Sequence, residues 1–353
     1  MKKLILALPI LLFFTGKSFA IHTILRNANN ISAGTIDPAR LPSSSATLQG
    51  NNFIYYPRGV YSVSSAIEIP YGVTAFFQDG STLTNAGNNG VLSVSGTVRG
   101  DLTIVANGFP NVQGNLLRIN TSGYIDSVTF RDGTITGDNV AGNDSPVLLT
   151  GKNAHIGRLI YQGTTISGSA GNKRFVLFSG ALNSGIHGGY IEDANANPMI
   201  VFQIGESTNC IIENMEVIGA KLNYVMRPLA GTKASVGFTL KNNRFVESAN
   251  GDGAGLVATG LSKNMNIIGN SFVKNGSVGD TALALATDGV SSSTLVSENF
   301  FSGFTTAISV QSGSNNTFIH GNQMENCTNG ISDSGSNTKV RDNVVNGVYV
   351  ADN

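Results

Sequence analysis

The residues of this chain best suited to chemistry stand just ahead of, or on, a series of short apolar runs. Asp252 and Asp280 precede Gly255-Leu-Val-Ala258 and Ala282-Leu-Ala-Leu285. Two carboxylates flanking a glycosidic bond supply the acid and base, or acid and nucleophile, of a glycoside hydrolase. Lys221, Tyr224 and Arg227 crowd into Lys221-Leu-Asn-Tyr224-Val-Met-Arg227, where Arg227 interrupts an apolar run that Pro228 ends. That set suits elimination. A lyase removes the proton beside a uronic-acid carboxylate and then protonates the departing oxygen. Lys, Arg or Tyr can supply the base, and Arg can neutralise the carboxylate. Asp144, Lys173, Arg174, Asn197 and Asn223 hold equivalent places ahead of other apolar runs and are the expected substrate contacts. With Lys173, Arg174 and Arg227 on one face, the chain would carry a cationic zone that favours a polyanionic sugar.

Something must bring residues so far apart in sequence onto one face, and the chain contains a repeat able to do so. An apolar residue, two or three positions, an Asn and a further apolar residue recur from Ile212 onward. The pattern reads Ile212-Glu-Asn214, Leu240-Lys-Asn-Asn243-Arg-Phe245, Ile267-Ile-Gly-Asn270-Ser-Phe272, Val296-Ser-Glu-Asn299-Phe-Phe301, Ile319-His-Gly-Asn322-Gln-Met324 and Val340-Arg-Asp-Asn343-Val-Val345. Successive Asn positions differ by 29, 27, 29, 23 and 21, the irregular spacing of solenoid coils whose loops vary in length. Degenerate copies precede them in Ile186-His-Gly-Gly189-Tyr-Ile191, Ile156-Gly-Arg-Leu159-Ile160 and Tyr124-Ile125-Asp-Ser-Val128-Thr-Phe130.

Each repeat offers short strands rich in β-branched and aromatic residues, punctuated by Gly, Asn, Ser and Asp at the bends. No helical stripe is present after Gly50. A single coil cannot bury its own apolar face, but coils stacked about 4.8 Å apart bury a continuous column and pair their backbones in parallel. The expected fold is therefore all-β, a single-stranded right-handed parallel β-helix. Asn214, Asn243, Asn270, Asn299, Asn322 and Asn343 are expected to form a structural ladder along its axis, since a carboxamide both donates and accepts. Asn343, with a neighbour on one side, is expected to matter less than Asn270.

The repeat resembles the pectate-lyase-like β-helix superfamily, which includes polysaccharide lyases, polygalacturonase-type glycosidases and phage tailspikes. Tyr56-Pro-Arg-Gly59-Val-Tyr61, Ile67-Glu-Ile-Pro70-Tyr-Gly72 and Asp79-Gly80 look like the entry coil of such proteins. Ile31-Ser-Ala-Gly-Thr-Ile-Asp-Pro-Ala-Arg-Leu-Pro42 is similar to linkers upstream of phage tail-fibre and tailspike domains. The resemblance implies action on a polysaccharide and puts Asp252 at a position where polygalacturonase-type proteins carry paired Asp residues. The chain departs from that pattern in lacking an Asn-Thr-Asp triplet, an adjacent Asp pair, Gly-His-Gly and Arg-Ile-Lys. That departure tilts the reading toward a lyase on a uronate-containing polysaccharide over a glycoside hydrolase. The other open reading is non-catalytic: a carbohydrate-binding adhesin or a tailspike-like receptor-binding module. The residues leave open whether the protein is an enzyme.

Composition narrows the partners. Charged residues are only 12% of the 353, and no Arg/Lys run appears, which excludes nucleic acid. Lys2 and Lys3, the apolar stretch from Leu4 to Phe14 and Ser18-Phe19-Ala20 form a signal peptide. The expected organisation is a signal peptide over 1–20, an extended leader over 21–50 and the β-helix over 51–353. The product is secreted or extracellular, or periplasmic, with no membrane association after cleavage. No cofactor and no metal are expected, because His22, His155, His187 and His320 fall in unrelated settings. Cys210 and Cys327 lie four coils apart and are expected to be free. There is no Trp, leaving Tyr56, Tyr71, Tyr124, Tyr161, Tyr190 and Tyr224 as stacking platforms for sugar. No amphipathic helix closes the C-terminal coil, so its open edge calls for a tail tuck, a partner or a homo-oligomer such as a trimer.

Overall fold

The computed structural model describes residues 53–85, 90–109, 115–136, 145–162, 165–167, 174–193, 199–219, 222–228, 234–247, 257–275, 279–350 and 352. The signal peptide and the leader lie outside the described residues. From Phe53 onward the chain is all-β and winds as a right-handed parallel β-helix. One sheet has 13 strands, most of them following one another in chain order along a single path. The other has 23 strands and takes two short strands from a typical coil.

The coil through Met199–Gly205, Ile211–Glu213 and Met215–Gly219 shows the plan. Its first strand pairs with Arg174–Leu182 before it and Leu222–Pro228 after it. Its second and third strands pair with the matching strands of the coils on either side, and every one of these pairings is parallel. Side chains of a strand point alternately to its two faces. Met215–Gly219 and Ser81–Asn85 accordingly bury every other residue. The buried set fills the column between the sheets. Phe245, Phe272 and Phe301 take one register position in successive coils, with ring centroids 5.2 and 4.9 Å apart. That spacing is close to the strand separation itself, so each ring meets its neighbour as a consequence of backbone pairing. Tyr56 and Tyr161 belong to this core and are not sugar platforms, whereas Tyr71 is 79% exposed.

Two bends in the coils require left-handed backbone. One column of positive φ runs through Asn153, Asn183, Asn209, Gly237, Asn264, Ser293, Asn316 and Asn337. The other runs through Asn214, Asn242, Gly269, Glu298, Gly321 and Asp342. Gly has no Cβ to clash there, and Asn or Asp compensates with local hydrogen bonds. The residue following the second bend carries the ladder. The Asn243 backbone N–H and Nδ2 both donate to Asn270 Oδ1, at 2.9 Å each. The same double donation passes from Asn270 to Asn299, Asn299 to Asn322 and Asn322 to Asn343. Each Nδ2 also reaches back to a carbonyl of the preceding coil, as from Asn270 to Leu240 O at 2.9 Å.

Asn214 is not a rung. It is exposed, with φ of 56°, and occupies the bend, while Met215 stands in the ladder frame and gives its backbone N–H to Asn243 Oδ1. The physical reason is the distance from the preceding apolar residue. Ile212 pairs with Leu240, and the ladder position falls three residues after Leu240 but Asn214 only two after Ile212. Above Met215 the column continues as Gly189, Leu159 and Val128, so the ladder changes from carboxamide to apolar contact in the N-terminal half. Asn343 also differs from expectation. It accepts from Asn322 and donates to Ile319 O and Arg341 O, a nearly full set despite its terminal place.

A second polar column was not legible beforehand. Ser207, Ser235, Ser262, Ser291 and Ser314 are all buried. Their strands align them coil to coil from Ser235 onward, and Ser207 N–H donates to Ser235 Oγ. At the C-terminal end the chain supplies its own tuck. Val344–Val345 pairs antiparallel with Val348–Tyr349 across Asn346-Gly347, whose φ values of 48° and 80° fit a two-residue hairpin turn. Val350 N–H then closes onto Asn343 O at 2.9 Å. Cys210 and Cys327 are free and buried, and burial pushes the Cys210 thiol up to about 11 and raises that of Cys327.

Two measurements test this architecture. Asn270→Ala removes acceptors and donors from partners in both flanking coils and should lower stability by about 1–3 kcal/mol. Asn270→Asp turns an oxygen toward Leu240 O, Ile268 O and Asn299 Oδ1 and should cost more at pH 7. Asn343→Ala should come close to Asn270→Ala. Denaturant midpoints rank the three variants, and an Asn270→Ala midpoint equal to the parent's removes the ladder from the account. In a thiol titration, both cysteines should stay silent in the folded protein and appear together on unfolding. A bridge between them would contradict the coil count.

Candidate functional site

Of the sequence candidates, Arg174, Asn223, Tyr224, Arg227 and Asp280 are described, and they lie on strands of the 13-stranded sheet. Following its parallel registers, Arg118, Leu148, Leu177, Gln203 and Arg227 take one position in successive coils. Leu148 and Leu177 are buried yet stand apart from the core cluster. Arg174 begins the strand before Gln203. It is only 7% exposed, and its Nη1 donates to Gln203 Oε1 in the next coil. A buried guanidinium needs hydrogen-bond partners to offset its desolvation, and this carboxamide is one.

Tyr224 and Arg227 lie on the described strand Leu222–Pro228, opposite Ile200 and Gln203 respectively. Asn223 is the extra residue where that register shifts. Asp280 lies on the strand Gly279–Ser292, between positions paired with Phe304 and Thr306. Gln203 and Arg227 thus share one register position, while Arg174 stands opposite Ile200 and reaches Gln203 through its side chain. Asp144, Lys173, Asn197, Lys221 and Asp252 lie outside the described residues.

The 23-stranded sheet holds a buried ion pair. Lys274 Nζ stands 3.5 Å from Glu247 Oε2, with side-chain exposures of 0% and 3%. The two residues face each other across neighbouring coils. In sequence they precede the stretches that carry Asp280 and Asp252. Glu216 instead contacts Arg244, and Glu192 accepts from Tyr190, both on exposed ground.

The adjoining face of the 23-stranded sheet holds a cluster that corrects the histidine expectation. His155 Nδ1 lies 2.9 Å from His187 Nε2, and His187 Nδ1 lies 2.8 Å from Glu213 Oε1. The imidazole rings are stacked, with centroids 5.1 Å apart. Burial, then the neighbouring His187, lowers the His155 pKa, and a hydrogen bond to the Asn183 backbone partly opposes them. Ahead of this chain, Arg99 lies over the Tyr124 ring and pairs with Asp126 at 2.7 Å. Tyr55 and Phe76 extend the face with stacked rings 5.8 Å apart. The signal was present in the repeat. Aligning Ile156 with Ile186 puts His155 one residue before and His187 one residue after that inward-facing pair, both on its outward side. Among the described residues, no group of three or more His, Cys, Asp or Glu side chains converges on a metal position, and no helix is long and apolar enough to cross a membrane.

No family model matches the chain, and neither does any curated protein. Three solved structures resemble it at low similarity. A surface adhesin of Streptococcus pneumoniae, PfbA, is 12% identical with a TM-score of 0.42, covering 83% of this chain and 84% of its own. An endo-xylogalacturonan hydrolase from Aspergillus tubingensis is 15% identical with a TM-score of 0.41, over 84% and 86%. The A-module of the Azotobacter vinelandii mannuronan C-5 epimerase AlgE4 is 14% identical with a TM-score of 0.37, over 83% and 91%.

The buried pair generates a stability test. Lys274→Met leaves the Glu247 carboxylate buried without its cation and should cost about 3–5 kcal/mol. Adding Glu247→Leu should recover most of that loss, because an apolar pair of similar volume needs no desolvation. Chemical denaturation of parent, single and double variants decides it. A single variant as stable as the parent would show that the pair contributes nothing.

Proposed function

We propose that the protein is a secreted β-helix that acts on an anionic, uronate-containing polysaccharide, and that it does so as a lyase. The observation supporting this reading is that Arg227 stands opposite Gln203 of the preceding strand, and that Gln203 in turn accepts a hydrogen bond from Arg174 one strand further back. Arginine recognises carboxylates through paired N–H donors, and a carboxamide can orient one such group while another meets the ligand. In the proposed reaction Arg227 neutralises the substrate carboxylate and so acidifies the neighbouring C–H. Lys221 or Tyr224 takes that proton. The electron pair forms the new carbon–carbon double bond, the bond to the glycosidic oxygen breaks, and a proton is returned to that oxygen. Asp144, Lys173, Arg174, Asn197 and Asn223 would hold neighbouring sugar units. The leader formed by Lys2, Lys3 and the apolar stretch after them supports export.

One observation favours a non-catalytic reading. Tyr55, Phe76 and Tyr124 are partly exposed ring-bearing residues along a neighbouring face, the kind of surface on which sugars stack without reaction. Incubation of the mature protein with uronate-containing and neutral polysaccharides separates the possibilities. Lyase action should give new ultraviolet absorbance from unsaturated sugar ends. Arg227→Ala should lower that rate by roughly 10²-fold or more and leave the melting temperature nearly unchanged. New reducing ends without that absorbance would replace the lyase by a hydrolase using Asp252 and Asp280. Retention on a polysaccharide column with neither product would replace it by an adhesin.

A further inference from the structure

The His155–His187–Glu213 chain has no part in that reading. It links three successive coils on the outer side of the 23-stranded sheet. Each histidine has a glycine beside it across the strand pair. His155 stands opposite Gly185, and Gly157 and His187 follow the paired Ile156 and Ile186. A Cβ at Gly185 would come within 3.3 Å of His187 Cε1. Glycine there leaves the two imidazoles room to lean diagonally and meet each other.

Proton counting decides what this chain can hold. A carboxylate only accepts, so His187 Nδ1 carries a proton toward Glu213 Oε1, at 2.8 Å. A neutral imidazole has one N–H, so His187 Nε2 accepts, and the 2.9 Å contact is an N–H···N bond donated by His155 Nδ1. One added proton leaves both bonds in place. It goes on His187, beside the carboxylate. His187 Nε2–H then donates to His155 Nδ1, and the His155 proton moves to its other ring nitrogen. A second added proton ends this arrangement. Both facing nitrogens then carry hydrogen, the bond between them is lost, and two like charges stand with ring centroids 5.1 Å apart.

We propose that His155, His187 and Glu213 form an acid-operated switch, which stores one proton with its hydrogen bonds intact and opens on the second. The trio passes from negative through neutral to positive over those two steps, so acid turns this patch of the outer face cationic. The surrounding charges leave the switch to its own members. On the strand before His155, Tyr124 stands opposite the ring, and Asp126 is held in its salt bridge with Arg99. On the strand after Glu213, Lys241 stands opposite the carboxylate and is exposed. Arg158, on the strand of His155 itself, is exposed as well. Burial, then His187, lowers the His155 pKa against the opposing Asn183 backbone, which makes His155 the site of the second proton. Because the folded value lies below the ordinary 6.5, neutral His155 adds stability above that pH, and the contribution is lost as pH falls through the folded value.

The test is a histidine titration of the mature protein, isotope-labelled at nitrogen and followed by long-range proton–nitrogen NMR correlation from about pH 8 to about pH 4.5. At the alkaline end both rings should show the Nδ1–H tautomer. His187 should take the first proton and His155 the second. In His187→Gln, which removes the neighbouring charge, the His155 midpoint should move up. His155→Phe keeps a ring that cannot be protonated, so its denaturant midpoint should fall less than the parent's between about pH 7 and about pH 5. His155→Gln repeats that measurement with a smaller polar side chain. His320→Ala, on a distant coil, should leave both titrations as in the parent. An Nε2–H tautomer of His187 at the alkaline end, an unchanged His155 midpoint in His187→Gln, or acid sensitivity equal to the parent's in both His155 variants would overturn the proposal. All of these readings are taken without polysaccharide, so the switch and the lyase reading can fail separately.

Discussion

Fixed-register parallel pairing of each coil with the next is the constraint on which the rest of this molecule depends. Side chains alternate along a strand, so a slip of one residue would turn the phenylalanine stack outward and the outward polar residues into the core. In the C-terminal half, the carboxamides prevent that slip. From Asn270 onward each Oδ1 takes two donors from the coil before it, and each Nδ2 reaches a carbonyl that only the correct register brings within reach. In the N-terminal half the same column is filled by Val128, Leu159 and Gly189, and register rests on packing instead. Because register is set in the strands, the loops between them are free to change length. That is why the Asn spacing falls from 29 to 21 without disturbing the stack.

The fold was legible because its signal is repeated. Apolar alternation and Asn at coil spacing both point to stacked parallel strands, and each coil is another observation of the same rule. What escaped were features that depend on a single residue of offset. Asn214 matches the composition of a rung but sits one position early, on a bend that also welcomes Asn. The serine column was hidden because serine is common in the loops as well, so its periodicity carried little contrast. The lone histidines looked unrelated because their coil is the degenerate one, with Gly189 where a ladder Asn would have marked the frame.

The candidate site was less legible for a related reason. Sequence pattern fixes which residues precede a strand, but it does not say which are covered. Arg174 illustrates the difference. It belongs to the column read from the sequence, yet its guanidinium is buried and bonded to Gln203, a residue that no motif singled out. Its present arrangement makes it a support for its neighbours as much as a direct contact. Glu247 and Lys274 show the same thing, since two charges of ordinary surface type form a buried pair between neighbouring coils.

Register also explains why such a molecule suits a polymeric ligand. In a solenoid, any outward position is repeated once per coil, about 4.8 Å apart along the axis. A side chain therefore gains neighbours from residues one coil away in sequence, as His155 gains His187 and Arg174 gains Gln203. Functional clusters then arise as short axial columns, not as the convergent pockets of a globular enzyme. A chain of sugars laid along such a column meets a new set of contacts at each coil, and weak contacts add along its length. A compact ligand spans few coils and gains little from the rest. The architecture thus suits the extended substrate proposed above.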